Sequence, residues 1–140
     1  MKGKGAEKLL QLPPLADKEL ISLLRLLHMC VNLSVLWNQN LLPLLCFRFV
    51  RLNLTHGMSE AMPSAVAVYG AILNRCGYPL SEAEKYGEIA LDLEAAINGN
   101  CSSQVTFLTF GSTFTKMKKL SDCLKPLRAG FDSGVKDGKL

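Results

Sequence analysis

The chain is 140 residues long, 49% hydrophobic and 20% charged, with a net charge of +4. That length suits one ordinary domain with a real core, and the apolar share excludes a disordered chain. The charge excess is densest at Lys116, Lys118, Lys119, Lys125 and Arg128, where a solvated helix face explains it better than a phosphate- or acid-binding patch.

Five cysteines occur, Cys30, Cys46, Cys76, Cys101 and Cys123, each within or beside an apolar run. An odd number with no close pair reads as reduced, mostly buried thiols, and so as a cytoplasmic protein. Asn32, Asn53 and Asn100 open glycosylation sequons that carry meaning only on a secreted chain. The start, MKGKGAEKLLQLPPLA, has no continuous apolar stretch and is broken by Pro13-Pro14, so it is not a signal peptide. Leu20 to Trp37 is apolar but carries Arg25, His28 and Asn32, short of the ~20 clean residues of a membrane span. No membrane is expected.

In chain order, residues 1–16 form an approach segment and residues 17–140 a helical-repeat domain. Asp17 can cap a helix whose positions Leu20, Leu23, Leu24, Leu27, Cys30 and Val31 follow a 3.6 period, with Lys18, Ser22, Arg25 and His28 mostly on the other side. A second helix is predicted from about Leu41 to Thr55, Pro43 being tolerable in its first turn and Gly57 placed to end it. Its inward stripe is predicted as Leu44, Phe47, Val50 and Leu54, its polar stripe as Arg48, Arg51 and Thr55.

Pro63 opens a third helix that is apolar on every side from Ala65 to Leu73, and so belongs between layers. Gly70 in its middle costs ~1 kcal/mol of helix propensity relative to alanine, which close approach of the next helix would offset. Gly77-Tyr78-Pro79 then makes a turn and Ser81-Glu82-Ala83-Glu84 reads as a capping box. The helix it opens turns Ala83, Tyr86, Ala90, Leu93 and Ile97 inward and stops at Asn98-Gly99. Ser102 or Ser103 caps a fifth helix loaded with Val105, Phe107, Leu108, Phe110 and Phe114, although Gln104 to Thr115 also has strand-like composition. Ser121 begins the last helix, with Leu120, Cys123, Leu124, Leu127 and Phe131 inward, Pro126 kinking or delaying its first turn and Asp137-Gly138 closing it.

Gly70 is answered by Gly111, Ala83 by Cys123 and Ala90 by Gly130, at separations of 41, 40 and 40. A two-helix unit recurring at about 40 residues is the signature of an α-solenoid. The expected fold is therefore all-α, an α-solenoid of three antiparallel helix pairs, with units at about 17–57, 60–99 and 102–138. Small residues at the echoed positions let paired helices approach, and Gly111 is expected where two helices cross.

Phe107, Phe110-Gly111, Phe114, Cys123, Leu127 and Gly130 stand at the spacing of the tetratricopeptide signature, which this third unit resembles. The second unit matches at Gly70, Ala83 and Ala90, but has one extra turn residue and Gly87 where a bulky residue is expected. The first matches in outline only. Over nearly the whole chain, KGKG-x-EKLLQLPPLAD, RFVRLNLTHG, SAVAVYGAIL, EKYGEIALDL and LKPLRAGFDSGVKDGKL resemble the helical region of large signalling ATPases. Those proteins join a serine/threonine kinase-like domain, an AAA-type (STAND) ATPase, a tetratricopeptide-like region, a GAF sensor and a histidine kinase. The resemblance implies a fragment or detached copy of that helical region, and none of the family's catalytic motifs falls in it.

No catalytic, metal or cofactor set is found. Gly111-Ser-Thr-Phe-Thr-Lys116 lacks the second glycine of a phosphate loop and follows no strand. His28-x-Cys30 supplies two metal ligands where zinc needs three or four. Leu20-Ile-Ser-Leu23-Leu24 and Leu41-Leu-Pro-Leu44-Leu45 match LxxLL docking peptides, but in leucine-rich helices the core claims them first. The expected function is a non-catalytic scaffold that binds a protein, a peptide or neighbouring domains of the same polypeptide. By the tetratricopeptide pattern its groove-facing residues are Asn74, Ser112, Thr115 and Lys116. The competing reading is a helical-repeat RNA-binding module, which the 40-residue period and small charge excess argue against. Apolar material at Leu9 to Leu15 and Phe131 to Val135 predicts self-association.

Overall fold

The computed structural model of the chain describes residues 4–97, 101–116, 118–136 and 138, with the side chains of 4–6 and of Ser112 outside that description. It is all-helical. A short α1 (Lys4–Leu10) occupies what the sequence reads as an approach segment. There follow α2 (Lys18–Trp37), α3 (Leu42–His56), α4 (Met62–Arg75) and α5 (Leu80–Ile97). Then α6 (Ser102–Thr106) runs without a break into a π-wound turn at Phe107–Thr113 and a 3-10 turn at Phe114–Lys116, and α7 (Leu120–Lys136) ends the described chain. No strand forms among the described residues, so the β-like stretch at 104–115 is helical, and its oddity appears as the π winding.

Local chemistry accounts for several of these boundaries. The Asp17 carboxylate accepts from the N–H groups of Glu19 and Leu20 and caps α2 as expected. Pro43 and Pro63 sit in the first turns of α3 and α4, where a missing N–H is free of cost. Gly57 ends α3 at φ 124°, and a Cβ there would lie 2.6 Å from the Pro13 carbonyl oxygen. Glycine is thus required twice over, by conformation and by the parallel bridge between Pro14 and Met58 that pins the chain entry beside α3. The capping box at Ser81 does not form. α5 begins one residue earlier at Leu80, Glu82 pairs with Lys85, and Glu84 reaches Lys118 at 3.6 Å. Pro126 lies inside α7, which starts at Leu120 regardless. The predicted stop at Asn98-Gly99 and Asp137 fall outside the described residues.

α4 is the centre. Every residue from Met62 to Val68 is buried, together with Gly70 and Ile72, as expected of a helix apolar on all sides. It supplies members of all three core clusters. Met62, Val66 and Ala67 meet Ala90, Leu93 and Val105; Val68 and Ile72 meet Val31, Leu42 and Cys46; Ala65 meets Leu24 and Phe49. α3, α5 and the π-wound turn all pack directly on it. A ring chain runs through the same region, Phe47 to Tyr69 at 5.6 Å and Tyr69 to Tyr86 at 4.7 Å, both edge-on.

Several inward faces differ from the sequence expectation. α3 buries Leu42, Cys46, Phe49 and Asn53, and leaves Leu44, Phe47 and Leu54 exposed. The expected stripe is rotated because α3 is apolar on most of its circumference and Asn53 has work to do inside. Its Nδ2 donates to the Phe49 carbonyl, and its Oδ1 accepts from the Ser59 N–H at 2.7 Å, tying the end of α3 to the next loop. α7 buries Cys123, Gly130 and Gly134, while Leu120, Leu124 and Phe131 are exposed. In the fifth helix Val105, Thr109, Thr113 and Phe114 are buried and Phe107 is 68% exposed.

The glycine contacts explain part of that shift. A Cβ on Gly70 would lie 3.0 Å from the Ala83 carbonyl oxygen and 3.2 Å from the Tyr86 Cβ, so α4 and α5 do cross closely there. Gly111 is exposed and a Cβ there meets only ordinary contacts from 3.8 Å outward, so it is not a crossing point. The tight contacts fall at Gly87, 2.8 Å from the Thr109 Cγ2 and 3.1 Å from the Phe114 ring, and at Gly130, 2.9 Å from the Thr106 Cγ2. Gly87, bulky in the repeat pattern, is small here because the following helix lies on it. Gly87→Val is expected to lower stability in urea denaturation by about 1–3 kcal/mol through overpacking. Gly111→Ala should be neutral or stabilising by up to ~1 kcal/mol.

Candidate functional site

Of the four residues expected to line a binding groove, Asn74, Thr115 and Lys116 have described side chains. Asn74 lies half-buried in the last turn of α4, where its carbonyl accepts from the Gly77 N–H. Thr115 directs its hydroxyl back to the Gly111 carbonyl at 3.0 Å, a local bond that leaves little for a ligand. Lys116 is exposed, and the Ser112 side chain is outside the described residues. None of the three described cavities is lined by any of them.

A polar network unmarked by any motif lies instead between α2, α4 and α6. His28 Nε2 and Ser64 Oγ are 3.2 Å apart, the His28 ring also hydrogen-bonds Gln104, and Gln104 Nε2 donates to Asn32 Oδ1 at 2.6 Å. The sequence places His28 mostly on the polar side of α2. The structure turns it inward, 5.9 Å from the Phe49 ring. Burial lowers its pKa from the usual 6.5, with the bond to Gln104 opposing in part. A cavity of about 480 Å³ opens beside it, lined by Ile21, Leu24, Arg25, Ser59 and Glu60 among others.

This arrangement does not amount to nucleophilic chemistry. Ser64 has no exposed surface, so no substrate reaches its hydroxyl. Among the described residues no group of three His, Cys, Asp or Glu side chains could hold a metal ion. Cys46 is buried, its thiol pushed up to about 12 by burial and donating to the Ala65 carbonyl at 3.5 Å, so it is inert. Cys123 is also buried, Cys30 and Cys101 are half-buried and Cys76 is exposed, so fewer thiols lie in the core than the sequence suggests. The network's role is to hold α2 onto α4 and α6.

Held this way, α2 faces inward with Leu24, Val31 and Ser34, whose hydroxyl donates to the Val31 carbonyl. Its outer face is almost wholly apolar. Leu23 is 50% exposed, Leu26 60%, Met29 60%, Leu33 61%, Leu36 81% and Trp37 95%. Leu23, expected inside, belongs to this outer face. The cause is legible in the contacts: a helix with leucine on every side offers no unique core stripe, and His28 and Asn32 fix its rotation by their partners on α4 and α6.

As an unbroken 20-residue helix with a mean hydropathy of 1.7, α2 is long and apolar enough to cross a bilayer by length and composition, contrary to the sequence reading. α7 shows a smaller apolar row, Leu120, Leu124, Phe131 and Val135, each about half exposed. The outer face of α2 is the largest exposed apolar row among the described residues, and its signal is the excess of leucines over what one helix face can bury.

The sequence matches no family model, and no curated protein and no solved structure matches it.

Because His28 is held neutral in the folded state, the unfolded chain binds the extra proton first as pH falls. Stability is then full above the usual 6.5 and is lost progressively as pH drops from there toward the lowered folded value. Melting temperature is expected to fall between pH 7.5 and 5.5, and His28→Gln should flatten that part of the profile.

Proposed function

We propose that the chain is a non-catalytic helical-repeat scaffold that works by protein interaction, and that the outer face of α2 is its principal contact surface. The observation that carries this is the row of exposed large apolar side chains from Leu23 to Trp37, on a helix whose polar residues His28 and Asn32 are engaged inward. An unpartnered patch of this kind on a folded domain marks an interaction site.

The repeat reading supports the same role. α2 packs on α3, α4 on α5, and α6 with its π-wound extension on α7, while α4 also touches α3 before it and the π-wound turn after it. Such succession is what an α-solenoid of three antiparallel pairs requires, and solenoids serve as extended binding surfaces. Gly70, Ala83 and Ala90, all buried, act in it as packing residues. In the setting of a signalling ATPase the surface would join this region to a neighbouring domain or to another protein. α2 takes precedence over Asn74, Ser112, Thr115 and Lys116 as the contact surface, because its exposed apolar row is continuous from Leu23 to Trp37.

At dilutions where the chain is a monomer, Leu26→Asp combined with Leu33→Asp is expected to leave the helical circular dichroism and the melting temperature nearly unchanged, since both side chains are then already in water. The same variant should bind less of a hydrophobic dye such as ANS than the parent chain. Loss of the fold would show that the face belongs to the core and would overturn the reading. Unchanged dye binding would move the contact surface elsewhere.

A further inference from the structure

The spacing on α2 identifies what covers it. Leu23, Leu26, Cys30, Leu33 and Trp37 are separated by 3, 4, 3 and 4 residues, the alternation that lets one helix pack along another for four turns. Met29 and Leu36 flank that row on one side. At the accessible area of free side chains, the six exposed residues present on the order of 800 Å², which is what one partner contributes to a standard interface. The largest patch on a typical monomer is only ~300–600 Å², a range the smaller row on α7 does not exceed.

The row spans the same length on either side of its midpoint. Cys30 stands seven residues from both Leu23 and Trp37, with Leu26 four residues before it and Leu33 three after. Laid antiparallel on an identical helix with Cys30 beside its counterpart at the twofold axis, Leu23 stands level with Trp37, and Leu26 falls within one residue's rise, about 1.5 Å, of Leu33. The charges choose the direction. A parallel pair would stack Arg25 on Arg25 and Lys18 on Lys18, whereas the antiparallel pair sets Arg25 beside Val35 and keeps the like charges at opposite ends. Ser22, the one polar residue within the row, already donates its hydroxyl to the Lys18 carbonyl and needs no further partner when covered.

We infer that the chain forms a twofold homodimer through antiparallel pairing of α2, with Cys30 of the two copies at the axis. The inference rests on the reading of α2 as the contact surface and adds its occupant. A membrane is the weaker fit, because an interfacial helix wants several basic residues beside its apolar face and α2 has only Lys18 and Arg25.

The test is sedimentation velocity on the 140-residue chain, with Leu26→Asp/Leu33→Asp and the more exposed Leu36→Asp as variants. A dimer at micromolar concentration that the variants turn into a monomer is expected. In a Cys76→Ser/Cys101→Ser background, air oxidation catalysed by copper phenanthroline should join two Cys30 thiols into a disulfide, seen as a dimer band on a non-reducing gel. In the same background, Leu26→Cys with Cys30→Ser should not cross-link, since two such positions lie on opposite sides of the axis. A monomeric parent chain, a dimer indifferent to all α2 substitutions, cross-linking of the Leu26→Cys/Cys30→Ser variant where the chain with Cys30 intact gives none, or flotation of the chain with phosphatidylcholine vesicles would each overturn the inference. A monomer whose double variant still folds and loses dye binding would remove the second copy while leaving α2 as a contact surface.

Discussion

The structure depends on one helix being surrounded. α4 carries seven consecutive buried residues, Met62 to Val68, so it has no solvent face over two turns. That is possible because its sequence alternates large and small. Met62, Val66, Val68 and Ile72 each contribute ~1.5–3 kcal/mol on burial, while Ser64, Ala65, Ala67 and Gly70 leave room for neighbours to come close. α5 crosses at Gly70, the Cys46 thiol of α3 reaches the Ala65 carbonyl, and the His28 ring of α2 reaches Ser64. Each neighbour is thus placed by a small residue on α4. A bulkier α4 would push all three outward and separate the core clusters from one another.

Where the sequence was unambiguous, the fold follows it. α4 is apolar on all sides and is buried on all sides. The Asp17 cap, the early prolines of α3 and α4 and the glycine stop of α3 are local effects whose partners lie within a few residues. The faces of α2, α3 and α7 were not legible, because periodicity identifies a core stripe only when the other sides are polar. In α2 the rotation is chosen by polar groups whose partners are remote, such as Asn32 with Gln104 across 72 positions, and in α3 by Asn53, whose bonds to Phe49 and Ser59 an apolar stripe does not reveal. The π-wound turn at Phe107–Thr113 shows the same limit. It changes the angle between successive side chains, so a 3.6-residue pattern placed Phe107 inside when it is outside.

The small residues echoed at about 40 positions divide in the same way. Gly70, Ala83, Ala90, Cys123 and Gly130 are all buried. Gly111, the remaining member, is displaced by the π winding, and its place at the crossing is taken by Gly87 under Thr109 and Phe114. The groove candidates Ser112, Thr115 and Lys116 lie in the π-wound and 3-10 turns, where a 3.6-residue pattern does not carry over.

What remains is an inversion on α2. Surface helices ordinarily keep polar residues outward and apolar ones inward, yet here His28, Asn32 and Ser34 make their hydrogen bonds to protein while seven large apolar residues face water. Inserting polar groups beneath α2 fixes its rotation about its own axis, and the apolar face is the side left over. A hydrogen-bonded rotation of this kind is more specific than hydrophobic contact alone, since turning α2 by a third of a turn would strand a buried histidine and an amide. The polar network therefore serves the surface it does not touch. It holds a sticky face outward in one register, which is what a helix needs if another helix is to find it.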